Sequence, residues 1–352
     1  MSSQHYLPAE WHQQEFVQLT WPHPATDWAP ILNETYTCFL DIAWHIAMRQ
    51  PLLVVAQHPQ AVERQIQDYL DSRQKARPPY PIHVIACPNN DTWARDHAFI
   101  SVLTRDGRRL LYDYAFNGWG KKFPSNLDNK INKSTFSFLN QLFKESEYID
   151  RLDFVLEGGS IESDGAGTLM TTTSCLLSPE RNPQFTQTEI EQRLKSDTGA
   201  SQVLWLHHGH LEGDDTDGHI DTLARFCPDN TIVYVACNDP ADPHFEDLQR
   251  MEAELLTFHN AQGQPYRLVS LPHPRPMYDD EGQPMPATYA NFLYINGALL
   301  VPTYRQPDID QLAVTVLQTL HPHHQVVPID CSVLIRQHGS LHCSTMQFPS
   351  PL

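Results

Sequence analysis

The run Ala98-Phe99-Ile100-Ser101-Val102-Leu103, the pair Asp106-Gly107 and the run Arg109-Leu110-Leu111-Tyr112-Asp113-Tyr114 together decide the fold. Two strand-like segments flank a dipeptide that turns tightly at little steric cost, so the stretch reads as a hairpin. Helical spacing follows over 130–144 and a strand over 153–156. The resulting order, strand–strand–helix–strand, recurs three times downstream. Strands 160–162 and 168–172 flank Asp164-Gly165, ahead of a helix at 187–195 and a strand at 202–206. Strands 219–226 and 231–236 precede a helix over 243–259 and a strand at 266–271. Strands 289–295 and 298–301 meet at Asn296-Gly297, before a helix over 307–320 and a strand at 325–328.

The two ends of the chain supply a fifth unit. The N-terminal part begins with a strand at 14–20. Next comes a helix over 30–49, with Ile31, Thr35, Cys38, Phe39, Ile42 and Ile46 on one face. A strand at 52–56, a helix at 59–69 and a strand at 82–86 follow, and a last strand at 340–347 has no helix after it. Pairing of the terminal segments closes a ring without exposed edges. The expected fold is therefore α/β: a single catalytic domain over 1–352, built as a propeller of five ββαβ units. The proline-rich segment 271–286 reads as a long loop within that domain, placed to act as a lid.

Composition narrows the function. Hydrophobic residues make up 41% of the chain and charged residues 19%, which is globular. A net charge of −18 repels nucleic acid and anionic membranes and draws cationic ligands. The seven cysteines, at 38, 87, 175, 227, 237, 331 and 343, are odd in number, widely spaced and without C-x-x-C, so a reducing compartment is expected. No secretory h-region opens the sequence and no apolar run approaches the ~18 residues of a membrane span. The expected location is the cytoplasm.

Four polar segments fall at junctions between units: Trp93-Ala94-Arg95-Asp96, Leu156-Glu157-Gly158-Gly159-Ser160, the acidic run from Gly213 to Asp221, and Gly339-Ser340-Leu341-His342-Cys343. Alone, each has an ordinary reading: a solvated ion pair, a glycine turn, an acidic loop, a buried thiol. The acidic run has no closing Glu of a calcium loop. The histidines at 207, 208, 210 and 219 lack a zinc pattern such as H-E-x-x-H, so no metal is expected. In a ring, all four segments converge on one axial site. His219 and Asp221, two apart at a strand start, would face the same side. The site would then gather Asp96, Glu157, Asp221, His219 and Cys343. Carboxylates around a thiol raise its pKa. The arrangement makes chemical sense for a cationic substrate such as a guanidinium, whose planar fork of N–H donors matches paired carboxylates and whose charge favours thiolate.

The motifs LPAEW (7–11), LTWPH (19–23), NDTWARD (90–96), FNGWG (116–120), LEGGSIESDGAGT (156–168), SPERNP (178–183), DDTDGHIDTLARF (214–226), ATYANFLYINGALLVP (287–302) and GSLHCSTMQ (339–347) span nearly the whole chain. With them the sequence resembles the agmatine deiminase branch of the peptidylarginine-deiminase-like family, within the guanidine-modifying (pentein) superfamily. The resemblance implies a five-unit α/β propeller, and hydrolysis of agmatine to N-carbamoylputrescine and ammonia, without a cofactor, in putrescine and polyamine biosynthesis. By the same resemblance Cys343 is the nucleophile and forms a covalent thiouronium. His219 is acid and then base, Asp96 and Asp221 grip the guanidinium, and Glu157 assists. Trp93 forms an apolar wall, Asp215 lies near the distal amine, and a homodimer is the expected assembly. Two positions depart from the family pattern: His97-Ala98-Phe99 stands where a small residue and Gly-Pro are usual, and Gln337-His338 where a glycine run is usual. The rival readings are free or peptidyl arginine as substrate, amidine transfer to an amine, a non-catalytic pentein binding protein, and a zinc hydrolase.

Overall fold

The structure, a computed structural model, describes residues 5–351. Its strands form five sheets of three or four strands and one small hairpin. Three sheets follow one plan closely. Ala224–Cys227 pairs antiparallel with Thr231–Ala236, helix Phe245–Leu255 crosses over, and Arg267–Pro272 returns parallel to the middle strand. Ile161–Ser163, Thr168–Thr172, helix Gln187–Thr198 and Gln202–Leu206 repeat it, as do Leu293–Ile295, Ala298–Thr303, helix Pro307–Leu320 and Gln325–Asp330. The opening hairpin is Ile100–Thr104 against Arg109–Ala115, with Ser146–Val155 parallel to the second strand and His5–Tyr6 added at the edge.

The remaining sheet joins the chain's ends. Leu52–Ala56 lies between Gln14–Thr20 and Ile82–Ala86, parallel to both, and Thr345–Pro349 pairs antiparallel with Gln14–Thr20. Leu52–Ala56 is buried throughout, which explains its unbroken apolar sequence: a parallel strand covered on both faces has no polar side. Helix Leu32–Ala47 packs with Thr35, Cys38, Phe39, Ile42 and Ile46 inward, a stripe of helical period. Phe348 stacks on Phe16 at 4.2 Å between ring centroids, so the terminal strand is fixed by side chains as well as by its ladder. No helix among the described residues is long and apolar enough to cross a membrane.

Several expectations shift. The strand expected at 153–156 runs over Ser146–Val155, parallel to Arg109–Ala115. The segment expected as a strand from residue 219 begins as a short 3-10 turn, Ile220–Thr222, and the strand starts at Ala224. Asp217 and Gly218 have positive φ, and Asp214 accepts the N–H groups of Thr216 and Gly218; that turn chemistry overrides extension. Likewise the last strand begins at Thr345, because the Thr345 N–H bonds the His342 carbonyl and holds residues 341–344 in a turn. His219, Asp221 and Cys343 thus stand on turns at strand starts. The segment 289–295 keeps only Leu293–Ile295 as strand, and the long loop 271–286 carries a two-residue hairpin, Met277–Tyr278 with Pro284–Met285.

Candidate active site

Four turns bring the expected residues together. Asp96 sits on the one-turn helix Ala94–His97, whose Arg95 N–H bonds the Cys343 carbonyl at 3.1 Å. With the Arg95 guanidinium on the His342 carbonyl and on Gln347, this bond ties the first and last segments. Glu157 precedes the 3-10 turn Gly158–Ser160, and the Gly159 N–H reaches Asp96 Oδ1 at 3.0 Å. The Cys343 thiol lies 3.3 Å from Asn291 Oδ1 and 3.8 Å from Asp221 Oδ2. His219 Nδ1 is 3.7 Å from Asp96 Oδ1. Cys343, His219, Asp96, Asp221 and Glu157 are all buried.

Gly159 marks where the groups converge. A Cβ built there would stand 2.6 Å from His219 Nδ1, 2.9 Å from Asp96 Oδ1 and 3.1 Å from Asp221 Oδ2. Only a residue without a side chain leaves that space open. The absent Cβ explains the Gly-Gly of the motif better than a turn requirement does, because Gly159 has no positive φ.

Burial and like charges set the electrostatics. Burial pushes the Asp96 carboxyl up to about 6, with Asp221 and Glu157 adding to the rise and His219 and the Trp119 indole opposing it. Burial works against a charge on His219, but Asp96, Cys175 and Glu157 together hold the imidazole well above its ordinary value. Burial raises the Cys343 thiol strongly, and Asp221 and Asp96 raise it further. Asp221 goes the other way: burial favours its neutral form, yet His342, His219 and Arg225 hold it below the usual range. Without a cation present, the surroundings favour a neutral Cys343 thiol, a charged His219 and an ionised Asp221.

The remaining predicted residues lie around this core. Glu157 is not open: Arg181 Nε donates to both its oxygens at 3.0 Å, and both side chains are fully buried. The Trp93 ring packs against Gly339 on the approach to Cys343 and meets Trp28 at 5.5 Å. Asp215 is half-buried at the rim, and its carboxyl is pushed up to about 6 by burial and Asp214 while His338, Lys122 and His219 oppose. The two departures differ. His97 is buried in the core with both ring nitrogens unpartnered, and burial drives it down to about 3. His338 adopts φ +65°, where glycine is at ease, and its Nδ1 bonds the Gly213 carbonyl at 2.8 Å. It ties the Cys343 approach to the acidic loop.

Among the described residues, two clusters could offer metal ligands. Glu157, Cys175 and His219 place ligand atoms within 4.8 Å of one another, but Arg181 already occupies Glu157 and opposes a cation. Asp242, His244 and His273 do the same elsewhere. There His244 Nε2 accepts the Glu212 N–H, which puts the ring proton on Nδ1 facing Asp242 at 2.7 Å and leaves no lone pair for a metal. The histidines at 207 and 208 pair with Glu254 and Asp247, away from His219.

Several site residues had no role assigned from sequence: Asn291, Trp119, Arg181, Cys175, His342 and Glu10. Most lie inside the quoted motifs, and the signal was their presence there as polar residues in otherwise apolar or glycine-rich runs. Trp119 donates its indole N–H to Asp96 Oδ2 at 2.9 Å. Asn291 accepts the N–H groups of His342 and Cys343 at 2.9 and 3.3 Å.

A family model of Porphyromonas-type peptidyl-arginine deiminases matches residues 6–349. A crystal structure from Porphyromonas gingivalis, provisionally called an arginine deiminase, is 50% identical with a TM-score of 0.89, over 98% of each chain. A C. jejuni agmatine deiminase with substrate bound is 36% identical with a TM-score of 0.86, over 99% of this chain and 97% of that one. An agmatine deiminase of Stutzerimonas stutzeri is 30% identical over 99% of this chain and 96% of that protein.

Proposed function

The chain belongs to the Porphyromonas-type peptidyl-arginine deiminase family and is a hydrolase of amidine C–N bonds, and we propose that it converts agmatine and water to N-carbamoylputrescine and ammonia. The observation that carries this is the buried thiol of Cys343 beside Asp221, within a cluster that also holds Asp96 and His219. Such a site is unfavourable for a lone thiolate and favourable for a planar cation between sulfur and carboxylates.

In this reading Asp96 and Asp221 receive the guanidinium N–H groups. The substrate charge offsets the carboxylates and lowers the thiol pKa, so Cys343 gives its proton to solvent only when substrate is present. Sulfur bonds the guanidinium carbon to give a tetrahedral adduct. The His219 imidazolium gives its proton to the departing nitrogen, the C–N bond breaks, and ammonia leaves a Cys343 thiouronium. Neutral His219 then takes a proton from water, whose oxygen attacks the same carbon. The C–S bond breaks, and the thiol and a ureido product are released. Glu157, clamped by Arg181, supports the charge on His219. Trp93 forms the apolar wall, and Asp215 at the rim faces the distal ammonium of agmatine. The five sheets are read as blades of one closed propeller domain, and the protein as a cytoplasmic homodimer serving polyamine synthesis.

A second reading, free or peptidyl arginine, draws on the 50% identical Porphyromonas structure. It requires a cation for the substrate's carboxylate. At the rim Lys122 is already engaged by Asp217 Oδ1 at 2.7 Å and by the Asp215 carbonyl, and Asp215 itself suits a positive group. The test is chemical trapping. Acid quench during agmatine turnover, followed by mass spectrometry, should find an amidine adduct on the Cys343 peptide alone. An adduct on another cysteine, or turnover by Cys343→Ala at the wild-type rate, sinks the proposal.

A further inference from the structure

The two oxygens of Asp221 stand in different surroundings. Its Oδ1 is buried without a hydrogen-bond partner, while Oδ2 lies 2.7 Å from His342 Nδ1. The opposite nitrogen of that ring, Nε2, lies 2.6 Å from Glu10 Oε1. Glu10 comes from the N-terminal segment, 332 positions away from His342. It is itself anchored, by Arg95 Nη1 at 3.2 Å and by Arg225. Arg225 is fixed in turn by Glu162 at 3.0 Å and by the carbonyls of Ala290 and Phe292 at 3.0 and 2.8 Å. Beyond the ring, Glu10, Arg95, Glu162 and Gln347 line a cavity of about 70 Å³, large enough for water.

We propose that Glu10 and His342 are positioning residues for the reaction: they hold Asp221 by Oδ2, so that Oδ1 stands free and aimed for an N–H of the guanidinium. The inference rests on the reading of Asp221 as a substrate-binding carboxylate.

Asp221 Oδ2 needs the proton on Nδ1 of the ring, while Nε2 stands between Glu10 Oε1 at 2.6 Å and the Arg225 guanidinium at 3.2 Å. A carboxylate fixed at one oxygen by such a donor keeps its plane and presents the other oxygen in a set direction. The groups facing Asp221 are His342, His219, Arg225, Cys343 and Asp96; those facing His342 are Asp221, Glu10, Arg225 and Arg95. Asp221 and Glu10 are both held on the ionised side. Glu10 has donors in Arg95, Arg225 and Gln347, whereas Asp221 Oδ2 takes its N–H from His342. Burial, Arg225 and Arg95 hold the His342 imidazole below its ordinary value, although Glu10 and Asp221 oppose them, so the proton that matters is the one on Nδ1. The motif LPAEW therefore has a task in the site, although its glutamate touches no reacting atom.

The ring has two isosteres that separate its halves. His342→Asn places an amide N–H near the Nδ1 position and keeps the bond to Asp221; His342→Gln places it near Nε2 and keeps only the bond to Glu10. Each is assayed on the guanidine that the wild type turns over, with melting curves to confirm folding. We expect H342N to stay within roughly fivefold of wild type, while H342Q and E10Q lose roughly ten- to a hundred-fold in kcat/KM, mostly through KM. In H342Q and E10Q the acidic limb of the pH profile, set by Asp96, should stay in place. Equal losses in H342N and H342Q, falling on kcat rather than on KM, overturn the proposal and leave a packing role. A second measurement stands apart from activity: 15N NMR of histidine-labelled wild type should find the proton of His342 on Nδ1 at pH 7, and Asp221→Ala should lift that preference. A His342 whose Nδ1 lacks the proton in the wild type overturns the proposal. Wild type inert on every guanidine, with the NMR result as expected, contradicts the proposed function and leaves the clamp on Asp221 in place.

Discussion

His219 Nδ1 stands 3.7 Å from Asp96 Oδ1, and both side chains are closed to solvent. The pair gives the site its pH window. The Asp96 carboxyl titrates near 6 in the folded chain against an ordinary value of 3.8, first because it is buried and then because Asp221 and Glu157 crowd it. Below about 6 it protonates and loses its grip on a guanidinium. We therefore expect kcat/KM to fall as pH drops through 6, with a tenfold loss per unit once the limb is reached.

The same shift predicts a stability effect of opposite sign. A carboxyl whose pKa is raised by folding contributes stability below its unfolded pKa and loses that contribution as pH rises through 6. Asp96→Asn removes the buried charge. The variant should be inactive yet more stable than wild type at pH 8, by an amount on the order of 3 kcal/mol, with the gain shrinking toward pH 4. Urea unfolding at the two pH values measures it.

Gly159→Ala tests the open space among His219, Asp96 and Asp221, the groups proposed for catalysis. The added methyl would lie within 3.1 Å of His219, Asp96 and Asp221, so those side chains must move. Misplacement of that kind costs roughly a hundredfold in rate. The melting temperature should change far less than the activity does.

Arg181→Met leaves Glu157 and Asp217 without their shared cation. The guanidinium donates to Glu157 through Nε at 3.0 Å, to Asp217 Oδ2 at 2.6 Å and to the Thr216 carbonyl at 2.7 Å. Breaking a buried pair by removing one partner costs about 3–5 kcal/mol. Arg181→Lys should recover only part of this, because an ammonium lacks the planar fork.

Deleting the chain from Thr345 onward keeps Cys343 but removes the strand that pairs with Gln14–Thr20. The truncated protein should not fold. Phe348→Ala is the milder test: loss of the ring stacked on Phe16 should cost about 3–5 kcal/mol in denaturant unfolding.

Much of this was legible in the chain because turn dipeptides and apolar runs are local signals. Asp106-Gly107, Asp164-Gly165 and Asn296-Gly297 each lie between two strands, and Thr168–Thr172, Thr231–Ala236 and helix Pro307–Leu320 begin and end where the sequence places them. The site residues were found through segment ends, where a strand's pattern stops and polar residues gather. Harder to see were partners joined across the chain. Nothing local to Glu10 says that it meets His342, and nothing local to Arg181 says that it clamps Glu157. The expectation that His219 and Asp221 share a strand face failed for a related reason: alternation cannot register a 3-10 turn set by Asp214 and by the positive φ of Asp217 and Gly218.

The most direct measurement is ammonia and ureido product release from agmatine, free arginine and an arginine peptide, each with wild type and Cys343→Ala. The account predicts highest kcat/KM on agmatine, one ammonia per ureido product, and a loss of at least ~10³-fold in Cys343→Ala. Faster turnover of arginine or the peptide contradicts the substrate assignment, and undiminished turnover by Cys343→Ala contradicts the mechanism.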